Sequence, residues 1–219
     1  ALRANYAFDG MSYETLRGFR GIESKLTGHG ESHINPEGIL ISNGPLGSGL
    51  PQAQGLAIGD KMAGNERVTL CTISDGAMME GEAKESVAAI PGLAAKGRVN
   101  PFVLILSDND TKLSGRITDD SFSMQPCFDA LAHLGWKVIE VADGHDLQSV
   151  YSALEGGIAE AKSNPAQPVC LWVKQMFCAA VCRGNFVQER SLNVLKINTL
   201  RTVKRVDIVW NYHKISGVK

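Results

Sequence analysis

Two short apolar runs, separated by a helix-like segment, each end in a polar turn. Val68 to Ile73 leads into Asp75-Gly76, and Phe102 to Leu106 leads into Asp108-Asn109. This succession predicts two parallel strands joined by a helix, with the carboxyl ends of both strands at one edge of a sheet. Ligands bind at that edge in open α/β sheets. The feature therefore constrains both the fold and the position of a site.

The chain continues the same alternation on both sides of this unit. Apolar residues on a 3–4 spacing or in short runs predict the following further elements: helices Leu50–Met62, Gly81–Ala95, Pro126–Leu134 and Asp146–Lys162, and strands Lys137–Val141 and Pro168–Val173. Pro91 and Gly92 are expected to break or bend their helix. The pattern predicts one α/β domain over about residues 10–174, in three layers, with a mainly parallel sheet of roughly five strands and helices on both faces.

Composition excludes several classes of protein. The 219 residues are 44% hydrophobic and 21% charged, and their net charge of −1 gives no reason to expect nucleic acid or an anionic membrane as a partner. No apolar run approaches the roughly 20 residues that span a bilayer, and no signal-peptide pattern is visible. Five scattered cysteines, an odd number, favour reduced thiols and a cytoplasmic location.

The net charge of the chain changes sign near its end. Residues 1–182 carry a net charge of −7 and residues 183–219 a net charge of +6, and the sequence from about residue 175 has no clear helix or strand period. We interpret residues 1–174 as the domain and residues 175–219 as a basic tail of uncertain structure that does not belong to the core. The first residue, Ala1, indicates a processed or incomplete start.

The two strand ends suggest a chemistry. Asp75 offers a charged oxygen and Asn109 a neutral one, which suits Mg²⁺ or Ca²⁺. Gly76 allows close approach of the backbone, and the start of the following helix favours an anion. A metal with a diphosphate is the natural inference. The alternative is that Asp75 merely caps a helix.

The segment Ser74-Asp75-Gly76 resembles the start of the thiamine-diphosphate motif, with Ser74 in place of the motif's first glycine. Asn109, 34 positions after Asp75, resembles its end. Residues 44–49, GPLGSG, and the segment Thr27-Gly28-His29 resemble the corresponding loops of transketolases. The resemblance covers most of residues 15–174. It implies the thiamine-diphosphate-binding fold, and specifically the domain that holds the diphosphate.

The resemblance also implies roles for single residues. Asp75, the Asn109 side chain and the Thr111 carbonyl would ligate the metal, and the Gly76 amide would meet the diphosphate. Gly44 and Leu46 would line the pyrimidine side of the cofactor, and Leu113 would contact the thiazolium. His29 would be the catalytic residue that faces the substrate, and Glu80 and Glu85 would lie at a subunit interface.

The function implied is transfer of a two-carbon ketol unit between sugar phosphates, in the pentose phosphate pathway. The expected partners are a pyrimidine-binding domain or subunit, in a homodimer or heterotetramer. Because that domain is not found in these residues, and because Gln175-Met176-Phe177 replaces a loop that the family places after the last strand, we expect the isolated chain to be inactive.

The alternatives are a non-catalytic cofactor-binding fragment and a subunit of another thiamine-dependent synthase or dehydrogenase. A nicotinamide dehydrogenase is disfavoured, because no GxGxxG follows the first strand.

Overall fold

A parallel sheet organises the molecule. The computed structural model describes residues 12–24, 26–34, 36, 39–112 and 115–175, and the backbone of residues 207–210. The strands are β1 (Thr69–Ser74), β2 (Phe102–Asp108), β3 (Thr111–Lys112), β4 (Gly115–Arg116), β5 (Lys137–Val141), β6 (Val169–Lys174) and β7 (Asp207–Trp210). In the described part of the chain, five of them form a sheet in the order β5-β6-β2-β1-β7, and every neighbouring pair is parallel. β3 and β4 form a separate antiparallel hairpin.

Helices lie between these strands in the sequence. They are α1 (Tyr13–Arg17), α2 (Gly49–Met62), α3 (Gly81–Ala95), α4 (Ile117–Asp120), α5 (Gln125–His133) and α6 (Leu147–Ser163), with a short 3₁₀ helix at Ala77–Met79. The elements predicted from apolar periodicity are all present, and their ends differ from the predicted ones by at most two residues. α1 is short and ends where the chain turns at Gly18.

Both faces of the sheet are covered, as the sequence predicted. One cluster of buried residues joins α2, α3 and α5 to side chains such as Cys71 and Leu104. A second cluster joins α6 to Leu70, Val103 and Leu171 on the opposite face. Successive strand residues point to opposite faces, so each strand of the sheet's centre contributes to both clusters. The expected three-layer α/β architecture is confirmed.

Pro91 does not break its helix. α3 runs continuously from Gly81 to Ala95 with Pro91 inside it. The proline ring is buried, and a Cβ built on Gly135 would lie 3.0 Å from the Pro91 Cβ. Gly135, which has a positive φ of 105°, leaves room for this ring. The Val87 carbonyl, four residues before Pro91, accepts from the Trp136 Nε1–H at 2.8 Å, which satisfies the acceptor that proline leaves without its usual N–H donor.

The described residues of the basic tail, Asp207–Trp210, form a strand of the sheet. β7 pairs with β1 from Thr69↔Asp207 to Thr72↔Trp210. The sequence of β7, Asp-Ile-Val-Trp, is rich in residues that favour strands. Pairing also satisfies the outer edge of β1, which would otherwise present unpaired N–H and C=O groups. The rest of the tail, residues 176–206 and 211–219, lies outside the described residues.

The cysteines agree with the expected reduced state where they are described. Cys71 and Cys170 are buried and free, and Cys127 is a free, half-buried thiol. Burial raises the pKa of both Cys71 and Cys170 to about 12, so these thiols stay protonated and behave as apolar core residues. Cys178 and Cys182 lie outside the described residues. Among the described helices, none has the length and apolar character needed to cross a membrane.

Candidate metal and diphosphate site

The ends of β1 and β2 lie side by side, as the first sequence feature predicted. The two strands pair in register from Thr69↔Phe102 to Ser74↔Ser107. One residue further on, the Asp75 N–H donates to the Ser107 carbonyl at 3.0 Å. The register brings the turn after β1 against the turn after β2, although 34 positions separate Asp75 from Asn109 in the sequence.

Asp75 is the buried centre of this arrangement, with 1% of its surface exposed. Its Oδ1 accepts from the Gly76 N–H at 2.8 Å, and its Oδ2 accepts from the Asn109 N–H at 2.9 Å and from the Asp110 N–H. Burial raises the pKa of Asp75 to about 6; the three N–H donors oppose that shift, and the charge of Asp108 adds to it. A cation beside this carboxylate would offset the cost of its burial.

Asn109 and Thr111 lie in the same turn. The Asn109 Nδ2 donates to the Ser107 Oγ at 3.3 Å, and the Asn109 Oδ1 accepts from the Thr111 N–H at 2.9 Å. The Thr111 Oγ1 donates to the Asn109 carbonyl at 3.1 Å. Two adjacent turns therefore carry a carboxylate, an amide oxygen and main-chain carbonyls, and these are the kinds of oxygen that Mg²⁺ or Ca²⁺ prefers.

The expected ligand set contains a single carboxylate. Within the described residues, no cluster of three or more His, Cys, Asp or Glu side chains has the arrangement of a metal site. A small cavity of about 100 Å³ opens beside Asp75; Asp108 and Asp110 also line it, whereas Asn109 and Thr111 do not. The Asp108 carboxylate accepts from Trp172 and the Asp110 carboxylate from Arg116 and Thr118, so the fit to a hard divalent metal rests on oxygens of Asp75, Asn109 and Thr111 together with non-protein oxygens.

The turn after Asp75 presents the start of a helix. The Ser74 Oγ accepts from the Ala77 N–H at 3.2 Å, and the 3₁₀ helix Ala77–Met79 leads into α3. Gly76 is buried, and its N–H donates to Asp75 in the absence of a ligand, so a diphosphate oxygen would share this donor. Glu80 is half-buried at the N-cap position of α3, and Glu85 is exposed on the helix.

The two glycine-rich loops upstream of β1 come together. Gly30 and Asn43 exchange hydrogen bonds of 2.9 and 3.1 Å, and a Cβ built on Gly44 would lie 3.9 Å from the His29 Nδ1. His29 is half-buried and Leu46 is 39% exposed. These contacts place the expected catalytic histidine beside the loop expected to line the pyrimidine.

The second loop also touches the segment that follows the metal turn. Gly47 has a φ of +86°, and a Cβ built on it would lie only 2.6 Å from the Glu80 Cβ. The structure therefore joins the GPLGSG loop to Glu80. Leu113, expected to contact the thiazolium, lies outside the described residues.

Several residues at the site were missed by sequence reasoning. Gln175 donates from its backbone N–H to the Asp108 carbonyl at 2.9 Å and from its Nε2 to the Ser107 Oγ. The ordered contacts of the domain thus extend beyond residue 174, to the residue read from the sequence as the start of a foreign tail. Asp110, with a φ of +53°, was also missed. The residue type itself was a signal for this backbone conformation, because aspartate adopts the left-handed region more readily than most residues.

Comparison with known proteins is informative at this point. A family model described as the thiamine diphosphate binding domain of transketolase matches residues 1–181. The chain is 32% identical over 174 residues to transketolase 1 of Pasteurella multocida, an alignment that covers 73% of this chain and 24% of that protein. It is 31% identical over 176 residues to the transketolase of Bacillus subtilis, covering 75% of this chain and 24% of that protein.

Solved structures agree with the sequence comparison. The fold is similar to the transketolase of Campylobacter jejuni, with a TM-score of 0.62, 26% identity, and coverage of 74% of this chain and 25% of that one. It is also similar to the transketolase of Leishmania mexicana, with a TM-score of 0.60, 27% identity, and coverage of 75% and 24%. The chain spans about a quarter of the length of the curated relatives it matches. The resemblance inferred from the two loops and the metal motif is confirmed: the chain belongs to the transketolase family, within the thiamine diphosphate binding domain.

Proposed function

We propose that this chain is the diphosphate- and metal-binding part of an enzyme that transfers a two-carbon ketol unit between sugar phosphates. The observation that carries the proposal is the buried Asp75 carboxylate beside Asn109, at the ends of adjacent parallel strands, in a domain of the transketolase family. When bound, thiamine diphosphate supplies the reactive carbon and the electron sink for breaking a carbon–carbon bond next to a carbonyl.

The chain's own residues would bind and orient the cofactor. Asp75, the Asn109 amide and the Thr111 carbonyl would hold Mg²⁺ or Ca²⁺, which would offset the negative charge of the diphosphate. The Gly76 N–H and the start of the following helix add donors for the diphosphate oxygens. The residues proposed for contacts beyond the diphosphate are Gly44, Leu46 and Leu113.

His29 is the residue we propose to face the substrate. Its position beside Gly44 supports a place between the pyrimidine loop and bound sugar, where an imidazole could transfer a proton to or from the substrate. Glu80, in contact with Gly47, and Glu85 on the surface of α3 are proposed to lie at a subunit interface.

The remaining parts of the proposal concern partners. A pyrimidine-binding domain or subunit would complete the cofactor site, in a homodimer or heterotetramer acting on sugar phosphates. This is supported by the matched share of the relatives, since the domain described here corresponds to about a quarter of their length. The buried free thiols Cys71 and Cys170 support a reducing, cytoplasmic location.

Binding of the cofactor tests the metal site directly. Titration calorimetry of the 219-residue chain with thiamine diphosphate is expected to show heat that depends on Mg²⁺ or Ca²⁺. Asp75→Ala should abolish it, because the charged ligand is lost. Asp129→Ala, on the exposed surface of α5, is the matched control and should bind like the wild type. Unchanged affinity in a folded Asp75→Ala protein would show that the assignment is wrong.

Ketol transfer tests the need for a partner. We expect no sugar-phosphate transfer by the purified chain, and transfer once a pyrimidine-binding polypeptide of the family is added. Transfer by the chain alone would contradict the proposed partner. Cofactor binding without transfer in either mixture would favour the alternative, a cofactor-binding module that does not turn over.

A further inference from the structure

Asp110 lies in an unusual backbone conformation between two proposed metal ligands. Its φ is +53°, in the left-handed region that costs most residues on the order of 1 kcal/mol or more. A conformation of this kind persists only when the surrounding contacts determine it. The side chain of Asp110 makes several of these contacts, in addition to the bond from the Asp110 N–H to the Asp75 Oδ2.

Both oxygens of the Asp110 carboxylate are held by the segment that begins α4. The Oδ1 accepts from the Thr118 N–H at 2.9 Å, and the Oδ2 accepts from the Thr118 Oγ1 at 2.8 Å and from the Arg116 Nε at 2.8 Å. The Arg116 Nη2 lies 2.6 Å from the same Oδ2. The Asp110 carbonyl in turn accepts from the Ile117 N–H at 3.2 Å, and the Ile117 side chain is buried in the core.

These bonds anchor the short turn that carries Asn109 and Thr111. The Asp110 carboxylate and carbonyl tie the backbone between β2 and β3 to residues 116–118. The N–H groups of Asn109 and Asp110 in this turn both donate to the Asp75 Oδ2. The anchor therefore determines how the Asn109 amide and the Thr111 carbonyl stand relative to the Asp75 carboxylate.

We infer that Asp110 is a positioning residue for the divalent metal, which fixes the Asn109–Thr111 turn against Asp75 through its bonds to Thr118 and Arg116. The inference rests on the proposed function, because it assumes that the turn binds a metal. Asp110 does not itself ligate the ion. Its role is that of an outer-shell partner, and loss of such partners typically weakens metal binding about 10- to 100-fold.

The test separates positioning from folding. Asp110→Gly removes the carboxylate, and glycine adopts a positive φ without strain. Arg116→Met removes one partner of the anchor at a residue whose side chain is largely exposed. Glu66→Gln, an exposed carboxylate that precedes β1 whereas Asp75 follows it, is the matched control. The measurement is the Mg²⁺ concentration that gives half-maximal binding of thiamine diphosphate by the full chain, with a thermal melt of each metal-free protein.

The expected result is a 10- to 100-fold higher midpoint for Asp110→Gly, a smaller shift in the same direction for Arg116→Met, and a wild-type midpoint for Glu66→Gln. Saturating Mg²⁺ should restore thiamine diphosphate binding in both variants, which a general loss of structure would not allow. If the wild type binds and the midpoints are equal, the inference on Asp110 is wrong while the proposed function stands. If the wild type shows no metal-dependent binding, both fail. If Asp110→Gly does not fold, an unchanged midpoint in Arg116→Met overturns the inference.

Discussion

At the scale of single residues, the site depends on backbone groups as much as on side chains. Asp75 is held by three N–H groups from two different turns. Asp110 and Gly47 hold positive φ values at the two places where loops reach the end of β1. Backbone conformation at a few positions therefore decides whether the proposed ligands face one another.

The glycines with positive φ allow a graded prediction about stability. Gly47→Ala combines a φ of +86° with a clash against the Glu80 Cβ at 2.6 Å. Gly64→Ala has a φ of +71° but open space around it, and Gly55→Ala, in the middle of α2, has open space and helical backbone. The free energy of unfolding should fall by about 1 kcal/mol for Gly64→Ala and by more, roughly 2–3 kcal/mol, for Gly47→Ala.

Gly55→Ala is the control for this series and should raise the free energy of unfolding by about 0.5–1 kcal/mol, because alanine loses less entropy than glycine in a helix. Urea denaturation monitored by circular dichroism gives all three values. If Gly47→Ala cost no more than Gly64→Ala, the contact between the GPLGSG loop and Glu80 would not be present in solution.

At the scale of elements, local sequence signals define the helix ends well. Asp146 is the N-cap of α6, as the sequence predicted, and its side chain accepts from the Gln148 N–H at 3.1 Å and from the Ser149 hydroxyl. The Ser149 and Gln148 bonds lower the pKa of Asp146 below its ordinary value. The ionised form is therefore the one that stabilises the folded protein.

This shift predicts a pH dependence. A carboxyl whose pKa is lowered by folding stabilises the protein above its unfolded pKa, and that contribution disappears as the pH falls through the lower, folded value. Asp146→Ala should therefore be less stable than the wild type at pH 7, and the difference in free energy of unfolding should shrink below about pH 4. Urea unfolding at pH 7, 5 and 3.5 measures it. A difference that stays constant down to pH 3.5 would contradict the role of the charge.

At the scale of the whole molecule, the basic tail supplies an edge of the sheet. β7 pairs with β1, and β1 is the strand that delivers Asp75. The tail's net charge of +6 is opposite to the net charge of −7 on residues 1–182, so long-range attraction favours its association at low ionic strength. A sheet edge formed in this way links the tail to the strand behind the candidate site.

Removal of residues 183–219 should expose the outer edge of β1. We expect faster amide exchange in Thr69–Thr72 of the truncated chain, because the N–H groups of this strand that bond to β7 become accessible to water. Amides that join β2 to β6 in the interior of the sheet are the internal control and should keep their protection. Hydrogen exchange measured by mass spectrometry distinguishes the two regions. Equal protection of Thr69–Thr72 in both chains would show that β7 contributes nothing to the sheet's edge.

The sequence by itself determined the elements and the neighbourhood of the site. Strands such as Phe102–Asp108 and helices such as Gly81–Ala95 follow from apolar period and flanking turn residues, which act locally. Parallel pairing then brings Asp75 next to Asn109, because both directly follow strands that are neighbours in the sheet. The two loop motifs also indicated the transketolase family, and the comparisons confirm that family.

Only the tertiary structure decided the contacts between distant segments. The Val87 carbonyl, which Pro91 leaves without a helical N–H donor, accepts from the Trp136 Nε1–H. Gln175 reaches Ser107 across 68 positions, and β7 reaches β1 across more than a hundred. None of these contacts has a local pattern, because each depends on which surface the fold brings opposite the residue. The bonds of Asp110 to Arg116 and Thr118 could not be predicted from the sequence for the same reason, because these residues meet only in the folded turn between β2 and α4.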